Sequence, residues 1–280
     1  MLEKLTDRVY VMPYEEGITK PALGLIVGNK SSLVVDGGHS QSHAKEFLQE
    51  IHKLNVSFPK YLTITHWHWD HVAGGDTMNL TNVINYKTKE NLRNVRRYIK
   101  KDLEINKEKL GHVMYNTTFN LKQQAQVDAI KVLWGDIIFK EKIEVDLGGI
   151  RCIIENIGGD HSSDSNLIYV KGEKFMFLGD SIYRDLNKEH KCYHLDIMKP
   201  LIDRIMAYDT DYYLTSHKPI YTKKEMKAHF KSMIDIGEFV GERVDLKQLT
   251  IDYGEKQSKK TTSEERFLIG SFVNGNKNKL

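Results

Sequence analysis

The sequence has little cysteine and no long apolar run. Only Cys152 and Cys192 occur among its 280 residues, and neither lies in a CxxC pair, so a disulfide framework is excluded. No stretch reaches the roughly 18 apolar residues that a membrane helix needs, and the N-terminal segment MLEKLTDRVYVMPY lacks the apolar core of a signal peptide. We therefore expect a cytoplasmic protein that does not bind membranes.

An excess of charge of one sign is also missing. Lys and Arg total 41 and Asp and Glu total 38, which gives a net charge of +3, and the two signs alternate along most of the chain. Without a basic block, a nucleic-acid partner is not expected. The hydrophobic share of 40% and the charged share of 28% are those of an ordinary folded globular protein.

Short apolar runs rich in Val, Ile, Leu and Tyr predict strands in both halves of the chain. In the first half they lie at about 8–13, 22–28, 31–36, 61–65 and 82–86. In the second half they lie at about 137–139, 142–147, 150–157, 165–172, 174–180 and 211–216. Helical patterns occupy about 41–54, 195–208 and 222–243. Because each sheet must bury one face on the other sheet and one face under helices, this α/β pattern predicts a four-layer αββα sandwich.

Two segments fall outside this pattern. Residues 88–134 have helix-forming composition and no proline, and we interpret them as a helical insertion of two helices inside a domain that spans residues 1–243. The insertion could control access to a site or form the interface of a homodimer. Residues 244–280 are polar and contain KQSKKTTSEER, so we expect a loose C-terminal extension with one short helix at about 263–270.

The densest chemical signal is the segment THWHWDH, which follows an apolar strand. In extended backbone, residues two apart point the same way, so His66 and His68 can hold one ion while Asp70 and His71 face a second. Imidazole and carboxylate donors suit zinc, and manganese and iron accept the same donors. Three further candidate ligands lie at later strand ends or turns, where catalytic residues are common: His161, Asp180 and His217.

This set resembles the metallo-β-lactamase superfamily, whose HxHxDH motif is followed in order by a His, an Asp and a His. The resemblance covers about residues 8–220 and implies an αββα fold with two divalent metal ions, zinc by default. It implies one metal on His66, His68 and His161. It implies a second metal on Asp70, His71 and His217, with Asp180 as the bridge. Asp36, in Asp36-Gly37-Gly38, matches a strand-ending Asp of the family that is usually structural.

The resemblance also implies a reaction. A metal-bound hydroxide would attack a small ester, lactone, thioester or amide. Secreted zinc β-lactamases of the commonest type have a Cys where this chain has Asp180, and they carry a signal peptide, so β-lactamase activity is disfavoured. The ligand set looks most like that of glyoxalase II and N-acyl-homoserine lactonases. A phosphodiesterase and a mononuclear-iron enzyme of the persulfide dioxygenase type are the alternatives.

Besides the seven candidate ligands, three positions are candidates for the reaction or for metal binding. Asp70, one of the ligands, and Tyr183 are the candidate catalytic residues. A Tyr shortly after the bridging Asp resembles the lactonases and could donate a hydrogen bond to an oxyanion. Lys218 follows His217 and could bind a substrate carboxylate. Cys192 lies between His190 and His194, but it has no counterpart in the family, and we do not interpret it as a ligand.

Overall fold

Two β-sheets, one from each half of the chain, form the centre of the computed structural model, which describes residues 1–15, 20–102, 133, 135–186, 188 and 190–279. The first sheet has its seven strands in chain order: β1 (Glu3–Lys4), β2 (Val9–Met12), β3 (Leu23–Val27), β4 (Ser32–Val35), β5 (Pro59–Thr63), β6 (Thr81–Asn85) and β7 (Ile137–Phe139). Its first four strands pair antiparallel and its last four pair parallel.

The second sheet runs in the reverse order from β13 to β8. Its strands are β8 (Lys142–Asp146), β9 (Arg151–Asn156), β10 (Asn166–Lys171), β11 (Phe175–Gly179), β12 (Tyr212–Thr215) and β13 (Tyr221–Thr222). Only β11 and β12 pair parallel, and the helical crossover between them begins at residue 195. The strands predicted from the apolar runs are thus confirmed, with boundaries that differ by a few residues.

Helices cover the outer faces of both sheets. They are α1 (Gln41–His52), α2 (Trp69–Val72), a short 3₁₀ helix (Gly75–Met78), α3 (Tyr86–Asp102), α4 (Leu195–Met206), α5 (Lys223–Val240), α6 (Leu246–Lys256) and α7 (Ser263–Lys277). Phe47 and Ile51 of α1 pack on the first sheet, and Phe230 of α5 packs on the second. Among the residues that the structure describes, no helix has the length and apolarity needed to cross a bilayer.

A third apolar layer lies between the sheets and completes the predicted αββα sandwich. Ile26 and Leu33 of the first sheet contribute to it together with Ile168 and Phe177 of the second. The sheets approach so closely at Gly24 that a Cβ there would lie 2.4 Å from Cε1 of Phe177. Only glycine allows this contact without moving the ring.

Only the first part of the predicted helical insertion lies among the described residues. α3 begins at Tyr86, directly after β6, and supports the first predicted helix. Residues 103–132 lie outside the described residues, so the second helix and the role of the insertion stay predictions.

The expectation of a loose C-terminal extension was wrong. Residues 246–277 form two helices, and the buried apolar residues of both belong to the cluster that covers the second sheet: Leu249, Tyr253, Leu268, Ile269, Phe272 and Val273. The polar KQSKKTTSEER segment is the turn between them and the first residues of α7. There Thr262 and Glu265 form a capping box that fixes the start of the helix. A few apolar residues at helical spacing therefore outweigh the polar average of the segment.

His43 on α1 is a buried histidine whose ring nitrogens have no hydrogen-bond partner among the described residues. Only 1% of the residue is exposed, and its Nδ1 lies 2.7 Å from the position that a Cβ on Gly38 would take. Burial, with smaller contributions from the positive charges of His39 and Lys20, lowers the pKa of His43 to about 3. The folded protein thus keeps this ring neutral in acid, where the unfolded chain protonates it.

We expect His43 to make the metal-free protein less stable as the pH falls. Below the ordinary pKa of 6.5 the unfolded state binds a proton that the folded state does not bind, and this loss continues down to a pH of about 3. Between pH 6.5 and 4.5 the group should cost about 2 kcal/mol. Between pH 6.5 and 4.5 the free energy of unfolding measured in urea should therefore fall by about 2 kcal/mol less in His43→Leu than in the wild type. His52→Leu, at the exposed end of the same helix, is the control, and an unchanged profile for His43→Leu would contradict the prediction.

Candidate metal centre

Seven His and Asp side chains from both halves of the chain meet in one cluster. Four come from the turn after β5 and from α2, one from the loop between β9 and β10, and one each from the residues that follow β11 and β12. The cluster consists of His66, His68, Asp70, His71, His161, Asp180 and His217. All are buried except His217, which is partly exposed. The structure therefore brings together every residue that the sequence predicted as a metal ligand.

The donor atoms fall into three overlapping groups, and within each group they lie within 4.8 Å of one another. The first group is His66, His68 and His161, and the second is Asp70, His71 and His217. The third group joins them through His66, His71 and Asp180. These groups have the composition that the family resemblance implied for two metals and a bridging carboxylate.

Distances around Asp180 agree with a bridging position. Its Oδ2 lies 3.4 Å from Nε2 of His161, 3.7 Å from Nε2 of His71 and 3.6 Å from Nε2 of His217. Oδ2 of Asp70 is 3.2 Å from Nε2 of His217 on the far side of the cluster. One carboxylate oxygen thus faces histidines of both groups.

Unsatisfied polar atoms in the cluster fit a bound cation. Nε2 of His66, Nε2 of His71 and Oδ1 of Asp180 are buried and have no hydrogen-bond partner among the described residues. Buried polar atoms in folded proteins are nearly always paired, so three orphans in one cluster need an explanation. Divalent ions bound by nitrogen and carboxylate oxygen would satisfy all three.

The ionisation of the cluster follows from its burial and its mixed charges. Burial lowers the pKa of His66 well below its ordinary value and that of His68 to about 3, and the neighbouring imidazoles add to both shifts. Burial alone would raise the pKa of Asp180, but the charge and hydrogen bond of His71, together with the charges of His161 and His217, outweigh it and hold this pKa well below the usual range. His66 and His68 are therefore neutral, the form in which imidazole binds metal.

Asp36 orients His71, a member of the second donor group. It has a left-handed backbone, with φ of 67°. Its carboxylate accepts hydrogen bonds from the Thr65 amide at 2.7 Å, the Thr65 hydroxyl at 2.9 Å and Nδ1 of His71 at 2.8 Å. Because Nδ1 donates to Asp36, Nε2 is the nitrogen of His71 that would bind a metal once the ring has lost its second proton. This agrees with the structural role expected for the strand-ending Asp.

Asp164, which was not predicted from the sequence, connects the two loops that carry the first group. It lies three residues after His161 and is fully buried. Its carboxylate accepts from the amide of Trp67, between His66 and His68, at 3.0 Å, and from the hydroxyl of Ser162. No local pattern reveals this role, because the two loops are remote in the chain.

The segment that follows Asp180 contacts His161 and the residue before it. Its Nδ1 donates to the carbonyl of Arg184 at 3.1 Å, which leaves Nε2 for the cluster. The adjacent Asp160 accepts from Nδ1 of His194 at 2.6 Å and from the His194 amide at 2.9 Å. The orientation of this ligand therefore depends on residues near the start of α4.

Tyr183 lies beside the cluster, but its hydroxyl is already engaged. The hydroxyl donates to Oγ1 of Thr215 at 3.1 Å and accepts from the amide of His217 at 3.3 Å. Burial, followed by the charge of Asp180, raises the pKa of Tyr183. The phenol thus stays protonated and supports the backbone of His217, and its role in catalysis stays a prediction.

The remaining candidates lie at the margin of the cluster. Lys218 is exposed in the turn directly after His217, and its ammonium group forms no ion pair with a described carboxylate. Cys192 is buried, with Sγ 4.0 Å from Nε2 of His194 and 3.3 Å from the side-chain amide of Asn278. Burial raises the pKa of this thiol, which disfavours the thiolate that would bind a metal.

Comparisons with known proteins point to one family. A family model described as "Metallo-beta-lactamase superfamily" matches residues 22–217. No curated protein sequence matches the chain. Among solved structures, a metallo-β-lactamase from Pontibacter korlensis is 17% identical, with a TM-score of 0.56, and the match covers 82% of this chain and 97% of that one. The DIM-1 metallo-β-lactamase is also 17% identical, with a TM-score of 0.57 and coverage of 84% and 96%.

A sec-alkylsulfatase, Pisa1 from Pseudomonas sp., matches more of the chain. It is 11% identical with a TM-score of 0.65, and the match covers 99% of this chain but 49% of the alkylsulfatase. At these identities the solved structures show a shared fold and nothing about the substrate.

Proposed function

Because the chain belongs to the metallo-β-lactamase superfamily, we propose that it is a hydrolase that uses two divalent metal ions to cleave a small ester, lactone, thioester or amide. The observation that carries the proposal is the set of three overlapping donor groups, with the carboxylate of Asp180 between histidines of both halves. Bound ions would lower the pKa of a water ligand toward neutrality and polarise the substrate oxygen.

The chain's own residues would fix the charge of the centre. Of the seven donors only Asp70 and Asp180 carry negative charge, because metal-bound histidines are neutral. Two divalent ions would therefore leave the protein site with a net positive charge. Such a site favours the developing oxyanion of acyl transfer. Zinc is the expected ion, and manganese or iron would suit the same nitrogen and oxygen donors.

Two residues beside the donors are proposed to contact the substrate. Lys218 would attract a substrate carboxylate, because this exposed residue directly follows His217 and carries a positive charge. Tyr183 would donate to the oxyanion if its hydroxyl exchanged Thr215 for the substrate. Within the described residues, we find no further acid or base in hydrogen-bond contact with Asp180.

The proposal is tested first by metal analysis and then by a substrate panel. Protein purified without chelator should hold close to two transition ions, and a value at or below one after reconstitution would contradict the two-metal centre. The panel contains aryl esters, homoserine lactones, lactoylglutathione, nitrocefin and bis-nitrophenyl phosphate. It also contains a secondary alkyl sulfate, because the alkylsulfatase shares the fold over 99% of this chain. If only the phosphodiester or only the sulfate were turned over, the proposed carbonyl substrate class would be wrong.

Tyr183→Phe is expected to lower kcat with little change in KM. Loss of one oxyanion donor commonly costs about 2.7–4 kcal/mol, and the same substitution removes the acceptor of the His217 amide. Tyr169→Phe is the matched control, because the hydroxyl of Tyr169 donates to the carbonyl of Asp209, away from the cluster. If kcat of Tyr183→Phe stayed within about twofold of the wild type, the oxyanion role would be untenable.

A further inference from the structure

The C-terminal helix α7 lies outside the segment that matches the family model, which ends at residue 217. It nevertheless contacts residues 181–194, which we call the support loop; residues 187 and 189 of this loop are not described. The contacts are polar and directional. The amide of Tyr193 donates to the carbonyl of Ser271 at 3.1 Å, and the side-chain amide of Asn274 donates to the carbonyl of Lys191 at 3.1 Å.

Further contacts extend along the whole helix. The side-chain amide of Asn278 donates to the carbonyl of His190 at 2.9 Å. Gly275 lies so close that a Cβ there would be 2.2 Å from the carbonyl oxygen of Tyr193. Near the start of α7 the guanidinium of Arg184 lies 4.3 Å from the ring centroid of Phe267. The helix thus contacts the support loop near both of its ends.

The other side of the support loop faces the metal centre. The carbonyl of Arg184 accepts from Nδ1 of His161, and the ring and amide of His194 bind the carboxylate of Asp160. Between these two points the loop is closed by backbone hydrogen bonds between Asp185 and Cys192. Two separate contacts therefore pass from the support loop to His161 and to the residue before it.

We propose that α7 is a positioning element of the metal centre, which holds the support loop so that His161 is presented to the first metal. This inference rests on the proposed function. His161 is the only member of the first donor group that comes from the second half of the chain. Loosening the loop should therefore weaken the first metal position more than the second. Outer contacts of a metal-bound histidine commonly contribute 10–100-fold in affinity, and we expect about tenfold here because α7 acts through the loop.

The test compares asparagines on the same helix. Asn274→Ala/Asn278→Ala removes the side-chain contacts with the carbonyls of Lys191 and His190 and with Sγ of Cys192, all in the support loop. Asn276→Ala is the matched control, because the side chain of Asn276 donates instead to the carbonyls of Gly241 and Arg243, at 2.8 and 3.0 Å. Stepwise zinc affinities are measured by competition with a chelating dye. The step that disappears in His161→Ala identifies the first position, and the visible spectrum of the cobalt-loaded proteins reports its geometry.

The double variant should lose about tenfold in affinity at the first position and change the cobalt spectrum, while Asn276→Ala keeps both. Thermal unfolding of the metal-free proteins should be alike for the two. Equal zinc affinities for the double variant and Asn276→Ala would overturn the inference. If the double variant does not fold, Asn278→Ala alone replaces it, because Asn278 caps the end of α7 with its backbone amide, which the substitution keeps. If the wild-type protein bound no metal in the same titration, the proposed function would be overturned and this inference with it. The wild-type titration thus separates failure of the proposed function from failure of this inference alone.

A second pair of variants tests the same contact by size. Gly275→Ala places a methyl group against the carbonyl of Tyr193, whereas at Gly270 an added Cβ meets only Leu246, at 3.8 Å. Gly275→Ala should weaken the first metal position and Gly270→Ala should not. Equal zinc affinities for these two variants would also count against the inference.

Discussion

Asp180→Asn is expected to lower kcat by about a hundred- to a thousandfold while the protein stays folded. The amide has the shape of the carboxylate, but it is neutral and its nitrogen does not bind a cation. Asp180 Oδ2 faces His161, His71 and His217 at 3.4, 3.7 and 3.6 Å. No other carboxylate of the cluster faces histidines of both groups at these distances, so nothing compensates for its loss among the described residues.

Steady-state kinetics and metal analysis together check this prediction. The variant should bind less than two metal equivalents at concentrations that saturate the wild type. Asp211→Asn serves as the control, because Asp211 is an exposed aspartate just before β12 and its substitution should leave kcat unchanged. If Asp180→Asn and Asp211→Asn turned over the best substrate at the same rate, Asp180 could not be the bridge.

Asp36 should give the largest effect on stability. Asp36→Ala leaves the amide and hydroxyl of Thr65 and Nδ1 of His71 without their acceptor at a buried position. Removal of one partner from such a buried network typically costs about 3–5 kcal/mol. Alanine also tolerates the left-handed backbone poorly, at φ of 67°. We expect urea unfolding of the metal-free protein to show this loss, with metal affinity lower by about 10–100-fold.

Asp36→Asn separates the two roles of this residue. Asparagine tolerates the left-handed backbone and its amide oxygen can still accept from Thr65, so most of the stability should remain. Its NH₂ group, however, cannot accept from Nδ1 of His71. The proton of His71 would then move to Nε2, where it blocks metal binding. A metal affinity equal to that of the wild type in both variants would contradict the orienting role of Asp36.

The sequence predicted the sandwich and the seven donors because both depend on local patterns. Apolar runs of strand length mark the sheets, and ligand-type residues at successive strand ends mark the cluster. The contacts of Asp164 with Trp67 and of His161 with the carbonyl of Arg184 were not predicted, because they join loops that are remote in the chain. The hydrogen-bond partner of the Tyr183 hydroxyl could not be predicted either, because it is Thr215, a residue at the end of β12 that is remote in the chain.

The C-terminal helices were missed for a different reason. Average polarity suggested a loose segment, but a few buried apolar residues, among them Leu249, Leu268 and Phe272, place both helices in the core. Their helical spacing was present in the sequence. It was outweighed by the charged segment at residues 256–266, which contains the turn between the two helices.

The division of the donors between the two halves of the chain has a mechanical consequence. Four donors belong to the half that builds the first sheet and three to the half that builds the second. Bound ions would therefore cross-link the two halves, as a disulfide does in secreted proteins, although Cys152 and Cys192 are both free thiols. Neither sheet could then open without breaking metal–ligand bonds. Metal loading should slow the global unfolding rate and slow amide hydrogen exchange in β5 and β11 together, so that the centre controls the lifetime of the fold as well as its chemistry.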